Sequence, residues 1–193
     1  SRLDHPREMI RQFTPNWFAA TMGTGILALA LPQVPGIGPS LKPVGEVLWF
    51  FNIALFALVA GLEQGIGLSR VYSSSPFKAQ GVTVNNSDGE SCGSCNLATA
   101  MKMSLNTVYY RLMMDLNNQA QDVADAAHKA GVAESFGDIK KTLAQSDGSG
   151  VEGGVVLGQY QSRPIDMASA YATLAAEGIY RAPHLISKVT TAD

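Results

Sequence analysis

Only two of the 193 residues are cysteine and three are histidine, and charged residues make up 16% of the chain. A structural zinc site takes four ligands. Cys92 and Cys95 are the sole cysteines, and no second Cys/His pair lies near them, His128 and His184 being isolated. No metal and no cofactor is therefore expected. There is no arginine run, basic patch or acidic tail. The net charge is −2 and the isoelectric point about 5.9, so nothing marks a nucleic-acid partner. Ser146-Asp147-Gly148-Ser149-Gly150 and the following Gly153-Gly154 are glycine-rich, but no Gly-Lys-Ser/Thr follows, which excludes a phosphate loop. The chain opens without Met and without a cleavable leader, so Ser1 is expected to be a cut or processed end.

What is present is unevenly spread. Residues 17–62 are apolar with few charges, whereas from Glu63 onward the chain reads as an ordinary soluble domain. The first apolar run, Trp17 to Leu31, stops at Pro32. A helix rise of about 1.5 Å per residue carries it roughly 22 Å, short of a bilayer core unless earlier residues join in. Pro32, Pro35, Gly36, Gly38, Pro39 and Pro43 form a loop. A second run, Val44 to Leu62, is about long enough to span if Glu46 lies near an end. Buried helices of a soluble protein are the competing reading for both runs.

Asn96 to Leu116 organises the remainder. Leu97, Met101, Leu105, Val108, Leu112 and Leu116 recur at helical spacing, which predicts one face packed into a core. At its centre stands Ser104-Leu105-Asn106. A turn or distorted helical segment there would carry hydroxyl and carboxamide to one cleft edge, although an isolated Ser-x-Asn is common by chance. Val71 to Asn86 is predicted extended or hairpin-like, followed by turn chemistry at Asn85-Asn86-Ser87-Asp88-Gly89. Cys92-Gly93-Ser94-Cys95 is open between a small-loop disulfide, which suits an extracytoplasmic domain, and free thiols. A thioredoxin-type motif would need to open a helix after a strand in a different pattern.

Gln119 to Ala130 is predicted as a helix closed by Gly131, with Asp122, Asp125, His128 and Lys129 on its solvated face. Val155-Val156-Leu157-Gly158 reads as a short buried strand. Arg163-Pro164 opens a helix from Ile165 to Glu177, with Ile165, Ala168, Tyr171, Ala172 and Ala175 as its face. Leu185 to Thr190 is expected to be a last strand.

Two resemblances follow from these blocks. F-T-P-N-W-F-A-A-T-M-G-T-G-I-L-A-L-A-L at Phe13–Leu31 and L-W-F-F-N-I-A-L-F at Leu48–Phe56 resemble the first two membrane helices of the tellurite-resistance/C4-dicarboxylate transporter family, relatives of the slow anion channels. The family has a ten-helix pore, and two helices cannot close one. F-A-L-V-A-G-L-E-Q-G, A-M-K-M-S-L-N-T-V-Y-Y and the long block from Val155 to Val189 together resemble the transpeptidase domain of class A penicillin-binding proteins, in particular the mycobacterial PonA-type members.

The second resemblance implies acyl transfer through a serine ester, cross-linking peptidoglycan stem peptides and reacting with β-lactams. It implies an α/β (α+β) fold, a mixed sheet flanked by helices, here incomplete and preceded by one or two apolar membrane-type helices. Three motifs build such sites: Ser-x-x-Lys, Ser-x-Asn and Lys-Thr-Gly. By resemblance Ser104 is the proton-relaying hydroxyl and Asn106 the amide that orients substrate. Laying F-A-L-V-A-G-L-E-Q-G on the family pattern puts Phe51 in place of the nucleophilic serine and Ala54 in place of its lysine. Lys141-Thr142-Leu143 lacks the glycine of the third motif, which is expected to be missing. Ser75-Pro76-Phe77-Lys78 matches Ser-x-x-Lys literally, but an extended-looking stretch follows it, and a plain loop serine is the reading adopted.

The expectation is thus two parts: residues 1–55, a transporter-like membrane fragment, and residues 56–193, a partial transpeptidase domain. Catalytic incompleteness is expected, at the cell membrane with the larger part extracytoplasmic by resemblance. Arg2, Arg7 and Arg11 before the first run put the N-terminus in the cytoplasm. Two spans would return the larger part there, and one span would export it. A membrane anion-transporter fragment and a non-functional fusion product are the alternatives.

Overall fold

The computed structural model of the protein describes residues 54–184. The first apolar run, most of the second, and the strand expected at Leu185 to Thr190 lie outside them. Among the described residues no helix is long and apolar enough to cross a membrane.

The end of the second apolar run is described, and it is a core helix, α1, at residues 54–63. Ala54, Phe56, Ala57, Leu58 and Ala60 are buried. The helix packs closely enough that a Cβ at Gly61 would lie 3.1 Å from Leu112 Cδ1. Its apolar side is covered by protein, so this portion answers to the buried-helix reading of the run.

Three-residue strands follow, rich in the β-branched and aromatic residues that suit pleated backbone. They are β1 (Val71–Ser73), β2 (Phe77–Ala79), β3 (Val82–Val84) and β4 (Ser94–Asn96). β2 and β3 form a hairpin whose register, Ala79 opposite Val82, leaves Gln80-Gly81 as a two-residue turn. Both turn residues have positive φ, 48° and 80°, the type I′ geometry that matches strand twist. β1 pairs antiparallel with β4, Tyr72 opposite Cys95. The mixed α/β character expected from the sequence is present. The single mixed sheet is not: among the described residues the strands make two separate two-stranded ribbons.

The stretch from Asn96 to Leu116 is two helices rather than one. α2 (Leu97–Lys102) is capped by Asn96, whose side chain accepts from the Thr99 N–H at 2.8 Å. α3 (Asn106–Asp115) follows after a break. The predicted apolar positions hold across it: Leu97, Leu105, Val108, Leu112 and Leu116 are all buried. α4 (Ala120–Ala130) is the next helix, ended by Gly131 at φ 122°, as expected. Its polar residues correct the prediction in part. Asp125 and Lys129 are exposed, but Asp122 is half-buried and accepts from Asn118 N and Nδ2 and from Gln64 Nε2, tying α1 to α4. Burial opposes its ionisation, and these donors outweigh burial and hold its carboxyl below the usual range. His128 is half-buried too, with Nδ1 3.0 Å from the Val132 carbonyl oxygen. A helical wheel cannot reveal that another segment crosses a polar face.

Val155–Leu157 belongs to a 3-10 turn, Gly153–Leu157, and not to a strand. An apolar run this short has no period that separates the two. The turn packs on α3 and α4. A Cβ at Gly153 would collide with the Tyr110 hydroxyl. α5 (Pro164–Ala175) starts with Pro164 in its first turn, as predicted. Its buried residues are Asp166, Met167, Ser169, Ala170, Tyr171 and Thr173. Of the predicted face, only Tyr171 is buried, and Ile165 is 43% exposed. The buried side carries the polar Asp166, Ser169 and Thr173, which apolar periodicity would place outward. The Asp166 carboxylate accepts from Arg163 Nε and Nη2 at 2.9 and 2.8 Å, and Thr173 Oγ1 donates to the Ser169 carbonyl at 3.1 Å, so the inward Asp166 and Thr173 side chains have partners.

Phenols tie the layers together. The Tyr109 hydroxyl donates to the Leu97 carbonyl at 2.9 Å, and the Tyr72 hydroxyl to Asp115 Oδ2 at 2.9 Å. Burial first, then the hydrogen bond and charge of Asp115, pushes Tyr72 up to about 12. Burial raises Tyr109, Tyr110 and Tyr171 as well. These groups keep their protons when folded at pH values where unfolded chains lose them. Their stabilisation is complete below the ordinary tyrosine value of 10.0, and is lost as pH rises from there through the folded values. Urea midpoints measured from about pH 9 upward should therefore fall, and Tyr72→Phe should make the fall shallower.

Candidate functional site

The break between α2 and α3 is the Ser104-Leu105-Asn106 turn. α2 ends as helices do when one residue turns left-handed: Leu105 N–H donates to the Ala100 carbonyl at 3.0 Å and Ser104 N–H to the Met101 carbonyl at 3.1 Å. The left-handed residue is Ser104, at φ 54°. Glycine is the usual occupant, because a Cβ in this region is sterically costly. Leu105 is extended, at φ −78° and ψ 102°, and fully buried. An extended residue sends its two neighbours' side chains to the side opposite its own. Leu105 is anchored in the core, and Ser104 and Asn106 on either side of it are half-buried. Asn106 Nδ2 donates to the Asn85 carbonyl at 3.3 Å. Ser104 Oγ makes no hydrogen bond to a described residue.

The turn is held from below by a polar cluster that motif reading passed over. The residue at the N-cap of α3 is Leu105, which has no side-chain acceptor. The first N–H groups of a helix need partners from elsewhere. Asn86, 21 residues upstream, provides one: its Oδ1 accepts from Thr107 N at 3.0 Å and lies 2.9 Å from Thr107 Oγ1. Asn86 Nδ2 donates to the carbonyls of Ser74 and Glu90 at 2.9 and 2.8 Å. Thr107 Oγ1 also lies 2.9 Å from the Ser74 carbonyl. Ser74 and Thr107 are both fully buried. Arg111, one turn further along α3, donates from Nη1 to the Ser73 and Ser75 carbonyls at 3.0 Å each. It lies over the Phe77 ring at 3.8 Å, and burial lowers its pKa. In sequence Asn86 is one residue of a turn cluster and Thr107 simply follows the motif, so neither carries a signal of its own.

The other sequence candidates are placed apart from this turn. Ala54 is buried in α1, and Phe51 lies outside the described residues. Lys78 is on β2, so Ser75 and Lys78 do not share a helical turn and lack the geometry of a Ser-x-x-Lys pair. Thr142 is buried, its N–H donating to the Glu134 carbonyl at 2.8 Å and its hydroxyl to the Ala133 carbonyl. That is a structural role. Cys92 and Cys95 are joined in a disulfide. Among the described residues no group of three or more His, Cys, Asp or Glu is placed to hold a metal. A groove of about 810 Å³ runs along residues 138–148 and 159–161, and another of about 470 Å³ lies between the β2–β3 hairpin and residues 152–159. Neither includes Ser104 or Asn106.

Residues 55–192 match the family described as the penicillin binding protein transpeptidase domain, and residues 12–62 the one described as voltage-dependent anion channel. The chain is 59% identical over 144 residues to penicillin-binding protein 1A of Mycobacterium tuberculosis, which covers 74% of this chain and 17% of that protein. It is structurally similar to the PonA1 protein of the same organism solved in complex with penicillin V, with TM-score 0.67 and 58% identity over 69% of this chain and 36% of that one. A 56-residue stretch is 47% identical to an uncharacterized transporter of Methanocaldococcus jannaschii, covering 29% of this chain and 15% of that protein. The chain therefore spans less than a fifth of the length of its penicillin-binding relative. Residues 55–62 fall inside both family matches.

Two substitutions test the turn's construction. Ser104→Gly should raise stability by about 1 kcal/mol in urea unfolding, because it relieves the left-handed Cβ. Thr107→Val should lower it by about 1–3 kcal/mol, because the Ser74 carbonyl and Asn86 Oδ1 lose a buried donor.

Proposed function

The chain belongs, through residues 55–192, to the penicillin-binding protein transpeptidase family, and from that membership we propose that it is a transpeptidase-domain fragment carrying the Ser-x-Asn element without the acylated serine. In a D,D-transpeptidase a serine hydroxyl attacks the stem-peptide carbonyl, a lysine one helical turn away takes its proton, and an ester forms. Ser104 is the hydroxyl suited to pass that proton on, and Asn106 the amide suited to orient the peptide or a β-lactam. Their half-burial on either side of the buried Leu105 supports these roles.

The observation that carries the reading is Ala54. It occupies the lysine's place in the family pattern and is a buried methyl group within α1, and Phe51 stands at the serine's place. Neither side chain can form the ester or accept the proton. The chain then divides near residue 55, with residues 1–55 a transporter-like membrane fragment and residues 56–193 the partial transpeptidase domain. The cell membrane is its location, the larger part facing the peptidoglycan. The anion-channel match over residues 12–62 favours the second reading, a piece of a membrane transporter. That reading requires assembly of several copies, since two helices do not enclose a pore.

Intact-mass measurement of the purified chain after incubation with penicillin V decides the first reading. The expected result is no mass gain alongside a cooperative thermal melt. A stable adduct, mapped by peptide analysis to Ser75, Ser104 or any other serine, would overturn it. Chloride or dicarboxylate flux through liposomes carrying the chain would favour the transporter reading.

A further inference from the structure

The disulfide and the Ser104 turn are joined by an unbroken set of hydrogen bonds. Cys92–Cys95 closes a turn in which Gly93 takes a positive φ of 68°. Two backbone groups of that turn face Ser74. Cys92 N–H donates to Ser74 Oγ at 3.0 Å, and the Gly93 carbonyl accepts from Ser74 N at 2.9 Å and from Ser74 Oγ at 3.2 Å. Ser91 Oγ sits 2.8 Å from Ser74 Oγ and accepts from Gly93 N at 3.1 Å. On its other side the Ser74 carbonyl takes Asn86 Nδ2 and Thr107 Oγ1, and Asn86 Oδ1 takes the Thr107 N–H beside Asn106.

We propose that the Cys92–Cys95 disulfide positions the Ser104-Leu105-Asn106 turn, acting through Ser74 and Asn86, so that the redox state of the pair sets the geometry of that turn. The β1–β4 register ends with Ser73 opposite Ser94, and the bond from Ser74 N–H to the Gly93 carbonyl carries that pairing one residue further, into the cystine turn. What holds Ser74 is the cystine turn. Ser74 is fully buried, so partners withdrawn there are not replaced by bulk water. Reduction frees Gly93 to leave its left-handed conformation, and the Cys92 N–H and Gly93 carbonyl move with it. Ser74 then shifts, and the Asn86 and Thr107 side chains bonded to its carbonyl shift with it. Both cysteines are half-buried and open to a small dithiol. The step is balanced: the dithiol gives two electrons and two protons, the Cys92–Cys95 bond breaks to two thiols, and the reductant closes to its own disulfide.

The consequence for β-lactam recognition rests on the reading of Ser104 and Asn106 given above. The coupling itself is tested without ligand, so its failure is distinct from the appearance of a penicillin adduct. Amide exchange of the full chain is measured residue by residue, oxidised and after treatment with dithiothreitol. The Thr107 amide should exchange at least about tenfold faster on reduction, while Leu112 and Val123 stay within about twofold. Asn86→Asp combined with Thr107→Val separates the two halves of the link, because the Ser74 carbonyl is bonded to both side chains. The carboxylate still accepts from the backbone N–H at position 107, but neither side chain donates to the Ser74 carbonyl. In that double variant the amide at position 107 should remain protected and cease to respond to reduction. The proposal is overturned by an unchanged Thr107 rate in the reduced wild type. It is equally overturned by a rise shared with Leu112 and Val123, or by the double variant responding as the wild type does. If the variant fails to fold, the wild-type comparison alone decides.

Discussion

One backbone carbonyl, that of Ser74, ties together three segments of this structure. It accepts from Asn86 Nδ2 and Thr107 Oγ1 inside the protein, where an unmatched polar atom is costly. Those partners come from the loop after the hairpin and from the start of α3, so satisfying one oxygen fixes three segments relative to one another. Helix α3 begins at a leucine that cannot cap it, and Asn86 Oδ1, held by the Ser74 carbonyl, accepts the Thr107 N–H in its place. The left-handed Ser104 and the buried Leu105 can then be held where they are, because both sides of the turn are anchored.

Residue pattern revealed the parts of the fold that depend on local chemistry. Gly131 as a stop and Pro164 as a helix start act within one turn of chain, and each stands where it was expected. The apolar spacing from Leu97 to Leu116 identified the core positions correctly even though a single helix does not carry them. Ser104 could not be recognised as the break. A serine in left-handed conformation is an outcome of packing around Leu105, and no neighbouring glycine announces it. The roll of α5 was hidden for another reason, since its buried side carries the polar Asp166, Ser169 and Thr173 while Ile165 is exposed. The polar cluster beneath the turn was illegible because Asn86 and Thr107 are 21 residues apart, and turn residues look alike whether they meet water or a buried helix end.

The helix at residues 54–63 explains how one stretch answers to two families. Its buried face of Ala54, Phe56, Ala57, Leu58 and Ala60 has the small, apolar make-up that membrane helices also use. What decides its environment is its neighbours: Gly61 against Leu112, and Gln64 reaching Asp122 and Asn117. Apolar content alone therefore marks the helix as buried without saying whether protein or lipid does the burying.

The central helix is covered from both directions along the chain, by residues 54–63 before it and by Gly153–Leu157 after it. That has a consequence for synthesis. The second cover leaves the ribosome roughly 40 residues after α3, an interval of roughly 2–8 s at ordinary rates of about 5–20 residues per second. During it, the side of α3 that receives the Gly153–Leu157 turn has no permanent partner. The nascent chain passes through a stage in which a formed helix presents bare apolar surface to whatever is nearby, and completion of the fold is timed by translation of a short glycine-led turn.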